Sequence, residues 1–320
     1  MIDALKFVRG AIAKKDIVPA LTHFRIHAGR VKGHDGIITI SSPIDIGINC
    51  QPKAVDFIKA IESCEGTVHL SMTPAGRLTV KSGKFKSHIN CVEEDFPDIE
   101  PEGEIHELPH GILGTLKILE PMIAEDASRP WARSILFRGE FAHATNNVVI
   151  CQCWLGYEFP FDLAIPHSAV NALIRLGIEP TSVQMTERSV TFHFPEGRWF
   201  RTQTNPTEWP DIGRVLDKNP EPYDLPANFF TNIELLRPFV DDLNRLYFVD
   251  GAMATSVEDG VGARVEHDPD WLEFAPTELV FNINMMRMLN GVATSFDFNQ
   301  KPCLFFGENL RGAIMEMRFQ

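Results

Sequence analysis

The sequence predicts an α+β fold made of three copies of one domain. An aromatic residue followed by Pro-Asp-Ile occurs at Phe96 and again at Trp209, and both copies follow similar runs of alternating apolar and polar residues. Such alternation is typical of half-buried strands, and the glycines and prolines between the runs are typical of turns. A third run of this kind, ATSFDFNQKPCLFFGENLRGAIMEMRFQ, ends the chain. The spacing between copies, about a third of the chain, exceeds the repeat length of a solenoid and indicates whole repeated domains.

Each third of the chain repeats the same order of helices and strands. A helix-like segment opens each third of the chain, over Ile2 to Ala13, Ile112 to Ile123 and Ile233 to Leu246. A second helix is predicted before the last strands of each third, in PKAVDFIKAIES, PHSAVNALIRLG and NINMMRMLNGV. The predicted domains are residues 1–103, 104–219 and 220–320, with the second boundary in the charged, proline-rich segment DKNPEPYDLP.

Composition limits the classes of function. A net charge of −13 argues against a protein that coats nucleic acid with its whole surface, but it is compatible with a locally basic face. The longest apolar runs fall short of the roughly 18 residues that a membrane helix needs, and the N-terminal segment lacks the positively charged start of a secretory signal. The six cysteines form no CxxC pair, which indicates reduced thiols. We therefore expect a cytoplasmic protein with no membrane partner.

The sequence predicts no enzyme, no metal and no cofactor. The best cluster for chemistry is EHDPDW, which places His267, Asp268 and Asp270 on one turn. The sequence offers no recognisable second set of metal ligands, and Asp-Pro-Asp is ordinary turn chemistry. Cys151 and Cys153 alternate onto one strand face, where small core residues are expected.

Three segments carry a resemblance to a known family: EWPDIGRVL, VFNINMMRMLNG and the terminal AIMEMRF. Together with the three α+β domains, they make the chain resemble the bacterial DNA polymerase III β subunit, the DNA sliding clamp. A phage-encoded or divergent member would fit the short loops. The resemblance implies antiparallel sheets outside, helices inside, and a closed ring formed by a head-to-tail homodimer.

The same resemblance implies a processivity factor that encircles duplex DNA and has no active site. Its implied partners are double-stranded DNA bound without sequence preference, a replicative DNA polymerase, a clamp loader and a second copy of the chain. The alternative is a monomeric processivity or scaffold protein that binds DNA by charge without encircling it. The mass of the particle in solution separates the two.

The resemblance also implies a pocket for partner peptides between the second and third domains. The matching positions are Ala132, Thr145, Asn147, Val148, Val149, Ile150, Pro210, Arg214, Val215, Asn282, Met285, Ala313, Ile314, Met315, Glu316, Met317, Arg318 and Phe319. Val148-Val149 replaces a His-Arg pair of the family and Glu316 replaces a proline, so the peptide preference need not follow that of the family.

Within this pocket we expect one wall from Pro210 and Val215, with Ile150 beneath and Arg214 at the edge. Strand alternation puts Met315 and Met317 on one face, where their thioethers would offer adaptable apolar surfaces. The alternative is that both methionines belong to the core of the third domain.

For DNA, the resemblance points to Lys15, Arg129, His167 and Arg175. Contacts between basic side chains and phosphates are independent of base sequence and weaken with salt, which suits a sliding protein. The alternative for each residue is a solvated surface position, and His167 is equally compatible with a helix start.

Overall fold

The fold is described by a computed structural model of residues 1–15, 18–126, 128–258 and 260–318. Its α-helices are α1 (Ile2–Val8), α2 (Ala54–Glu62), α3 (Ile112–Leu119), α4 (His167–Leu176), α5 (Gly213–Leu216), α6 (Phe229–Leu236) and α7 (Ile283–Arg287). Short 3-10 helices lie at Arg9–Ala11, Pro19–Thr22, Glu120–Met122, Pro130–Arg133, Pro195–Gly197, Arg237–Phe239 and Pro269–Trp271. Within the described ranges, no helix has the length and apolar character needed to cross a membrane.

The strands complete an α+β architecture. In chain order they are β1 (Arg25–His27), β2 (Arg30–His34), β3 (Ile38–Pro43), β4 (His69–Met72), β5 (Leu78–Ser82), β6 (Phe85–Ile89), β7 (Ile105–Glu107), β8 (Ser134–Arg138), β9 (Phe141–Thr145), β10 (Val149–Trp154), β11 (Leu163–Pro166), β12 (Ser182–Met185), β13 (Ser189–Phe194), β14 (Arg198–Gln203), β15 (Tyr223–Asp224), β16 (Arg245–Val249), β17 (Ala252–Ala254), β18 (Arg264–Glu266), β19 (Leu279–Asn282), β20 (Ser295–Asp297), β21 (Cys303–Gly307) and β22 (Leu310–Ile314). Helices and antiparallel sheets are both present, so the predicted α+β class is confirmed.

One compact unit comprises Met1–Leu113 and Ser168–Pro206. Its larger sheet has the strand order β1-β2-β3-β14-β13-β12-β7, and its smaller sheet has the order β4-β5-β6. Phe7 on α1 packs edge-on against Phe194 on β13, with 5.5 Å between the ring centroids. The apolar face of α1 therefore covers the larger sheet and closes the core of this unit.

The other compact unit comprises Gly114–His167 and Thr207–Gln320. Its larger sheet has the order β11-β8-β9-β10-β22-β21-β20-β15, and its smaller sheet has the order β18-β17-β16-β19. Phe229 on α6 packs against Phe248 on β16, with 6.1 Å between the ring centroids. This contact buries the apolar side of α6 on the smaller sheet.

The sheets group the chain differently from the predicted repeats. β3 and β14 belong to the first and second predicted domains, yet they pair, and β10 of the second predicted domain pairs with β22 of the third. The compact units follow these sheets, and the domain boundaries at residues 103 and 219 stay a prediction. The backbone explains why residue 103 is a glycine. Its φ of 103° favours glycine, and an added Cβ would overlap the carbonyl group of Met185.

The helix predicted over residues 233–246 is wrong at both ends, since α6 covers Phe229–Leu236. Pro238 has no N–H to continue the helix, and the chain passes into a 3-10 turn. Asp241 Oδ1 then accepts a hydrogen bond from the backbone N–H of Arg245 at 3.1 Å. Because this turn reverses the chain, Arg245 begins β16 and does not lie on a helix. α1 and α7 are also shorter than predicted.

A row of hydrogen-bonded polar side chains, two of them buried, crosses β9, β10 and β22. His143, Gln152 and Arg311 occupy paired positions on these three strands. Arg311 Nε donates to Gln152 Oε1 at 2.6 Å, so the amide nitrogen of Gln152 faces His143 Nε2, at 2.9 Å, and donates to it. Arg311 Nη2 also donates to Asp217 at 2.8 Å, which holds the residue after α5 on the sheet.

Burial, together with the guanidinium charges of Arg138 and Arg311, lowers the pKa of His143 to about 4. The ordinary histidine pKa is near 6.5. Between these values the unfolded chain binds a proton that the folded chain does not bind, so protonation favours unfolding. The stability that depends on neutral His143 is complete above the unfolded pKa and is lost as the pH falls toward the folded pKa.

Acidification should therefore destabilise the wild-type protein more than the His143→Gln variant. Between pH 7 and pH 5 this histidine should reduce the free energy of unfolding by about 2 kcal/mol, because one pKa unit corresponds to about 1.4 kcal/mol. Denaturant unfolding at the two pH values measures the difference. His88→Gln, at an exposed position, is the matched control and should keep the wild-type acid dependence. An equal loss of stability in wild type and His143→Gln would show that His143 does not cause the acid dependence.

Candidate functional site

An open, largely apolar cavity of about 570 Å³ lies in the second unit. Its walls come from the segment leading into α5, from the β9–β10 turn and from the end of β22. The residues that line it are Arg129, Trp131, Thr145, Asn147, Val148, Val149, Ile150, Pro210, Asp211, Ile212, Val215, Lys301, Pro302, Ala313, Met315 and Glu316.

The wall at α5 follows from the sequence WPDIGRV. Trp209 is buried, and its Nε1 donates to Ser134 Oγ at 3.4 Å. Asp211 Oδ1 accepts a hydrogen bond from the backbone N–H of Gly213 at 2.9 Å, which stabilises the start of α5. These two hydrogen bonds fix the position of Trp209 and the start of α5. Val215 on this helix therefore faces the cavity.

An apolar cluster forms the floor of the cavity. The partly buried side chains of Ile150, Ile212 and Val215 pack against the buried residues Leu216, Leu304 and Ala313. Ala313 lies opposite Ile150 in the β10–β22 pairing. The small alanine side chain leaves room above the sheet that a larger residue would fill.

The β9–β10 turn forms a second wall and is stabilised by its own polar groups. Asn147 has a φ of 74°, a left-handed conformation that asparagine tolerates. Thr145 Oγ1 donates to the carbonyl oxygen of Val149 at 2.7 Å and accepts from the N–H of Asn147 at 3.1 Å. Asn146 Oδ1 accepts from the N–H groups of Val148 and Val149 at 3.1 and 2.8 Å. This wall is therefore preorganised.

The chain after β22 forms the third wall and separates two methionines. Met315 is 54 % exposed and donates its N–H to the carbonyl oxygen of Val148 at 2.9 Å. Met317 donates its N–H to the carbonyl oxygen of Val280 at 2.7 Å and packs on the smaller sheet. The prediction that both methionines share one environment is wrong, because β22 ends at Ile314 and the two residues then bond to different segments.

Charged side chains surround the apolar floor. Arg129 Nη1 donates to Asn147 Oδ1 at 3.0 Å. Lys301 Nζ lies 3.9 Å from Glu316 Oε1, and the lysine side chain is exposed. An apolar centre with a charged edge is the usual arrangement of a protein interface.

The predicted pocket residues divide into two groups. Those in the cavity wall are Thr145, Asn147, Val148, Val149, Ile150, Pro210, Val215, Ala313, Met315 and Glu316. Those outside the wall are Ala132, Arg214, Asn282, Met285, Ile314, Met317 and Arg318, and Phe319 lies outside the described residues. Ala132 and Ile314 are fully buried and do not line the cavity, and Ile314 alternates away from its neighbour Ala313 on β22.

Three further predicted residues lie outside the wall for local reasons. The side chain of Arg214 is 89 % exposed and lies 3.8 Å from the carboxylate of Asp211. Asn282 caps α7 by accepting hydrogen bonds from the backbone. Met285 is in contact with a turn residue that does not line the cavity, since its Sδ lies 3.3 Å from Asn146 Nδ2.

The cavity wall also contains residues that the sequence did not indicate for it. These are Trp131, Asp211, Ile212, Lys301 and Pro302, together with Arg129, which was expected at DNA. The repeated Pro-Asp-Ile turn could have indicated Asp211 and Ile212. Lys301 and Pro302 carry no comparable signal, because they reach the cavity through the β20–β21 turn.

The four residues predicted to contact DNA have different surroundings. Lys15 and Arg175 are exposed, and neither has an ion-pair partner among the residues that the structure describes. His167 begins α4, and its Nε2 lies 2.9 Å from Glu120 Oε1. Arg129 is bonded at the cavity rim. Their role in binding DNA stays a prediction.

Cys303 and His267, two residues whose side chains can support catalysis in other proteins, lie in packed surroundings here. Burial, followed by the carboxylate charges of Glu316 and Asp297, raises the pKa of Cys303 to about 12, so its thiol is protonated at neutral pH. His267 is buried, with its ring 5.9 Å from that of Phe248 and 4.9 Å from that of Trp271. Over the described ranges, no group of histidine, cysteine, aspartate and glutamate is arranged to hold a metal ion.

Solved structures of sliding clamps are similar to the whole chain. The DNA polymerase sliding clamp of Bacillus subtilis is 15% identical, with a TM-score of 0.79, and the similarity covers 99% of this chain and 96% of that one. The DNA polymerase III β subunit of Pseudomonas aeruginosa, bound to griselimycin, is 15% identical with a TM-score of 0.77 and coverages of 99% and 97%. The Helicobacter pylori β clamp bound to a DNA ligase peptide is 16% identical with a TM-score of 0.78 and coverages of 99% and 97%.

Sequence comparison alone finds no relative, since no protein-family model and no curated protein matches the chain. The structural likeness nevertheless extends over almost the full length of both compared chains. Their sequence identity is low, which is the pattern of a conserved fold with a divergent sequence. The resemblance noted in the sequence is therefore confirmed, and the chain has the fold of the bacterial DNA polymerase III β sliding clamp.

Proposed function

We propose that the protein is a sliding clamp, a processivity factor that encircles duplex DNA and tethers a replicative DNA polymerase. The observation that carries this proposal is the likeness of 99% of the chain to the Bacillus subtilis clamp at a TM-score of 0.79. A clamp acts by tethering and performs no bond-breaking step, so the proposal needs no catalytic residue. The same proposal includes double-stranded DNA as a partner and a clamp loader that opens the ring. It also includes a cytoplasmic location.

A ring retains DNA by topology, so its contacts with DNA can be weak. With a net charge of −13 the chain as a whole repels DNA, and attraction must come from local basic positions. We propose this role for Lys15, Arg129, His167 and Arg175. Contacts of this kind do not depend on base sequence and therefore permit sliding.

The apolar cavity of the second unit is the proposed site for partner peptides. The Helicobacter pylori clamp is bound to a DNA ligase peptide, and the Pseudomonas aeruginosa clamp is bound to griselimycin. In this chain Val215 and Met315 offer apolar side chains from two walls, with Ile150 below. An extended peptide with leucine or phenylalanine anchors would cover them.

Binding at this site should be weak enough for partners to exchange. Burial of ~200 Å² of apolar surface contributes about 5 kcal/mol at ~25 cal/mol per Å². Backbone hydrogen bonds add to this value, and the ordering of the peptide opposes it. We therefore expect a Kd on the order of micromolar or weaker.

Two chains are proposed to close the ring through free strand edges. β4 and β18 lie at the edges of the two smaller sheets, and each has one neighbouring strand. An open edge can pair with a strand of another chain. Exposed apolar side chains accompany both edges, Met72 on β4 and Val261 just before β18. Pairing of β4 with the β18 of another chain, made twice, closes an assembly of two.

Sedimentation at micromolar concentration should show a particle of twice the 36.0 kDa mass of one chain. Val261→Asp should weaken the dimer, because it places a carboxylate at the proposed joint. Val55→Asp makes the same exchange at another exposed valine, on α2, and should leave the dimer intact. A stable wild-type monomer at this concentration would favour the non-encircling alternative.

Replacement of Lys15 and Arg175 by alanine should shorten retention on primed circular DNA at low salt. Removal of two phosphate contacts should also reduce the slope of log K against log salt by about 2. Arg77 and Lys84 are exposed on hairpin turns of the β4-β5-β6 sheet, and their double alanine variant makes the same change in net charge. Equal retention and equal salt slopes for the two double variants would remove Lys15 and Arg175 from the DNA-binding surface.

Val215→Asp and Met315→Asp should each weaken peptide binding by about ten-fold or more, a loss of about 1.4 kcal/mol, because each places a charge in the apolar cavity. The probe is a labelled pentapeptide with leucine and phenylalanine at its last two positions, followed by fluorescence anisotropy. Val55→Asp is again the matched control. Truncation of the C-terminus is a poorer test, since it also removes Met317 from its packing on the smaller sheet. Unchanged affinity in both cavity variants, with the dimer intact, would exclude the site.

A further inference from the structure

The first unit contains a second cavity, of about 660 Å³, at the position that corresponds to the apolar cavity of the second unit. Strand register establishes the correspondence. Arg201 on β14 lies opposite Thr39 on β3, as Ala313 on β22 lies opposite Ile150 on β10. In each unit the isoleucine of the Pro-Asp-Ile turn completes the wall. The same backbone arrangement therefore forms a cavity twice.

The corresponding wall positions carry opposite chemistry in the two cavities. Positions that are apolar in the second unit are polar or charged in the first. The pairs, first unit before second, are Glu102 and Val215, Arg201 and Ala313, Gln203 and Met315, Ser189 and Pro302. A purely apolar anchor suits the cavity of the second unit and does not suit that of the first.

Arg201 is the residue that determines what the cavity of the first unit can bind. Its side chain is only 15 % exposed. Nη2 donates to Ser189 Oγ at 3.0 Å and to Glu102 Oε2 at 3.2 Å. Nη1 is buried and has no hydrogen-bond partner among the described residues. A buried donor without a partner lowers stability, and an acceptor that reached this donor from the cavity would relieve that cost.

Glu102 is a weakly held partner for this arginine. Its side chain is 64 % exposed, and an exposed ion pair contributes little to stability. The other charged side chains in the wall, Arg188 and Glu187, are both exposed and have opposite signs. A carboxylate from outside can therefore replace Glu102 without opposing a net negative lining.

We propose that this cavity binds an acidic extended peptide segment of a partner protein, with a carboxylate of the peptide in place of Glu102 on Arg201. Guanidinium groups bind carboxylates through paired, charge-assisted hydrogen bonds. Ile37, which is exposed, and Ile99, which is half buried, supply apolar surface for an aliphatic residue beside the acid. That the ligand is a peptide rests on the proposed function of the apolar cavity. That the ligand carries a negative charge rests on Arg201.

The test is a fluorescence anisotropy titration with labelled acetyl-Gly-Leu-Glu-Leu-Gly-amide. The wild-type protein should bind this peptide at least about ten-fold more tightly than the peptide with glutamine in place of glutamate. Arg201→Gln should abolish the difference. Glu102→Gln should tighten binding by about three-fold, because it removes the internal competitor. Val215→Asp should leave the difference between the two peptides unchanged, because leucine residues, which also suit the apolar cavity of the second unit, are the same in both.

Four results would overturn the proposal. Three are equal affinity for the two peptides, weaker or unchanged binding in Glu102→Gln, and displacement of the peptide by inorganic phosphate at equal concentration, which would indicate a site for any anion. If Arg201→Gln fails to fold, the glutamine peptide and Glu102→Gln still decide the outcome. The fourth is loss of the difference between the two peptides in Val215→Asp, which would assign the glutamate to the apolar cavity and reject the second site, whatever the outcome for the proposed clamp function.

Discussion

The pairing of β10 with β22 is the contact on which the candidate site depends. It places Ile150 opposite Ala313, although more than half of the chain separates them in sequence. A slip of one residue would turn Ile314 into the cavity and Ala313 into the core. Gly312 permits the close approach, because a Cβ there would overlap both the ring of Phe305 and the carbonyl oxygen of Ile150. The register of one strand pair therefore sets the chemistry of the cavity.

The sequence predicts those parts of the structure that depend on local pattern. Alternation identifies the strands that precede each repeat turn, and the Pro-Asp-Ile turn identifies the wall that ends in Val215. The helix predicted over residues 233–246 fails because Pro238 and the Asp241 turn outweigh the apolar spacing. Pro238 and Asp241 are local signals for the end of a helix and for a turn, and the prediction over residues 233–246 did not use them.

Contacts between distant segments could not be predicted in the same way. Met315 and Met317 look equivalent in sequence, yet one bonds to Val148 and the other to Val280. Lys301 enters the cavity wall only because the β20–β21 turn comes beside β22. Tertiary hydrogen bonds determine which environment each residue occupies. Neither the composition nor the spacing of the sequence predicts these hydrogen bonds.

The repeat explains why one chain offers two different cavities. Strand pairing and the Pro-Asp-Ile turn reproduce the backbone, and the side chains at corresponding positions then differ, as Arg201 and Ala313 do. This difference in side chains on a repeated backbone is the basis on which we propose two ligand chemistries for one chain.

Single-particle imaging of the purified protein tests the central claim, that this chain acts by encircling DNA, most directly. A clamp predicts closed, two-fold symmetric rings of two chains around a central opening wide enough for a DNA duplex. Single chains, or dimers without a central opening, would contradict it.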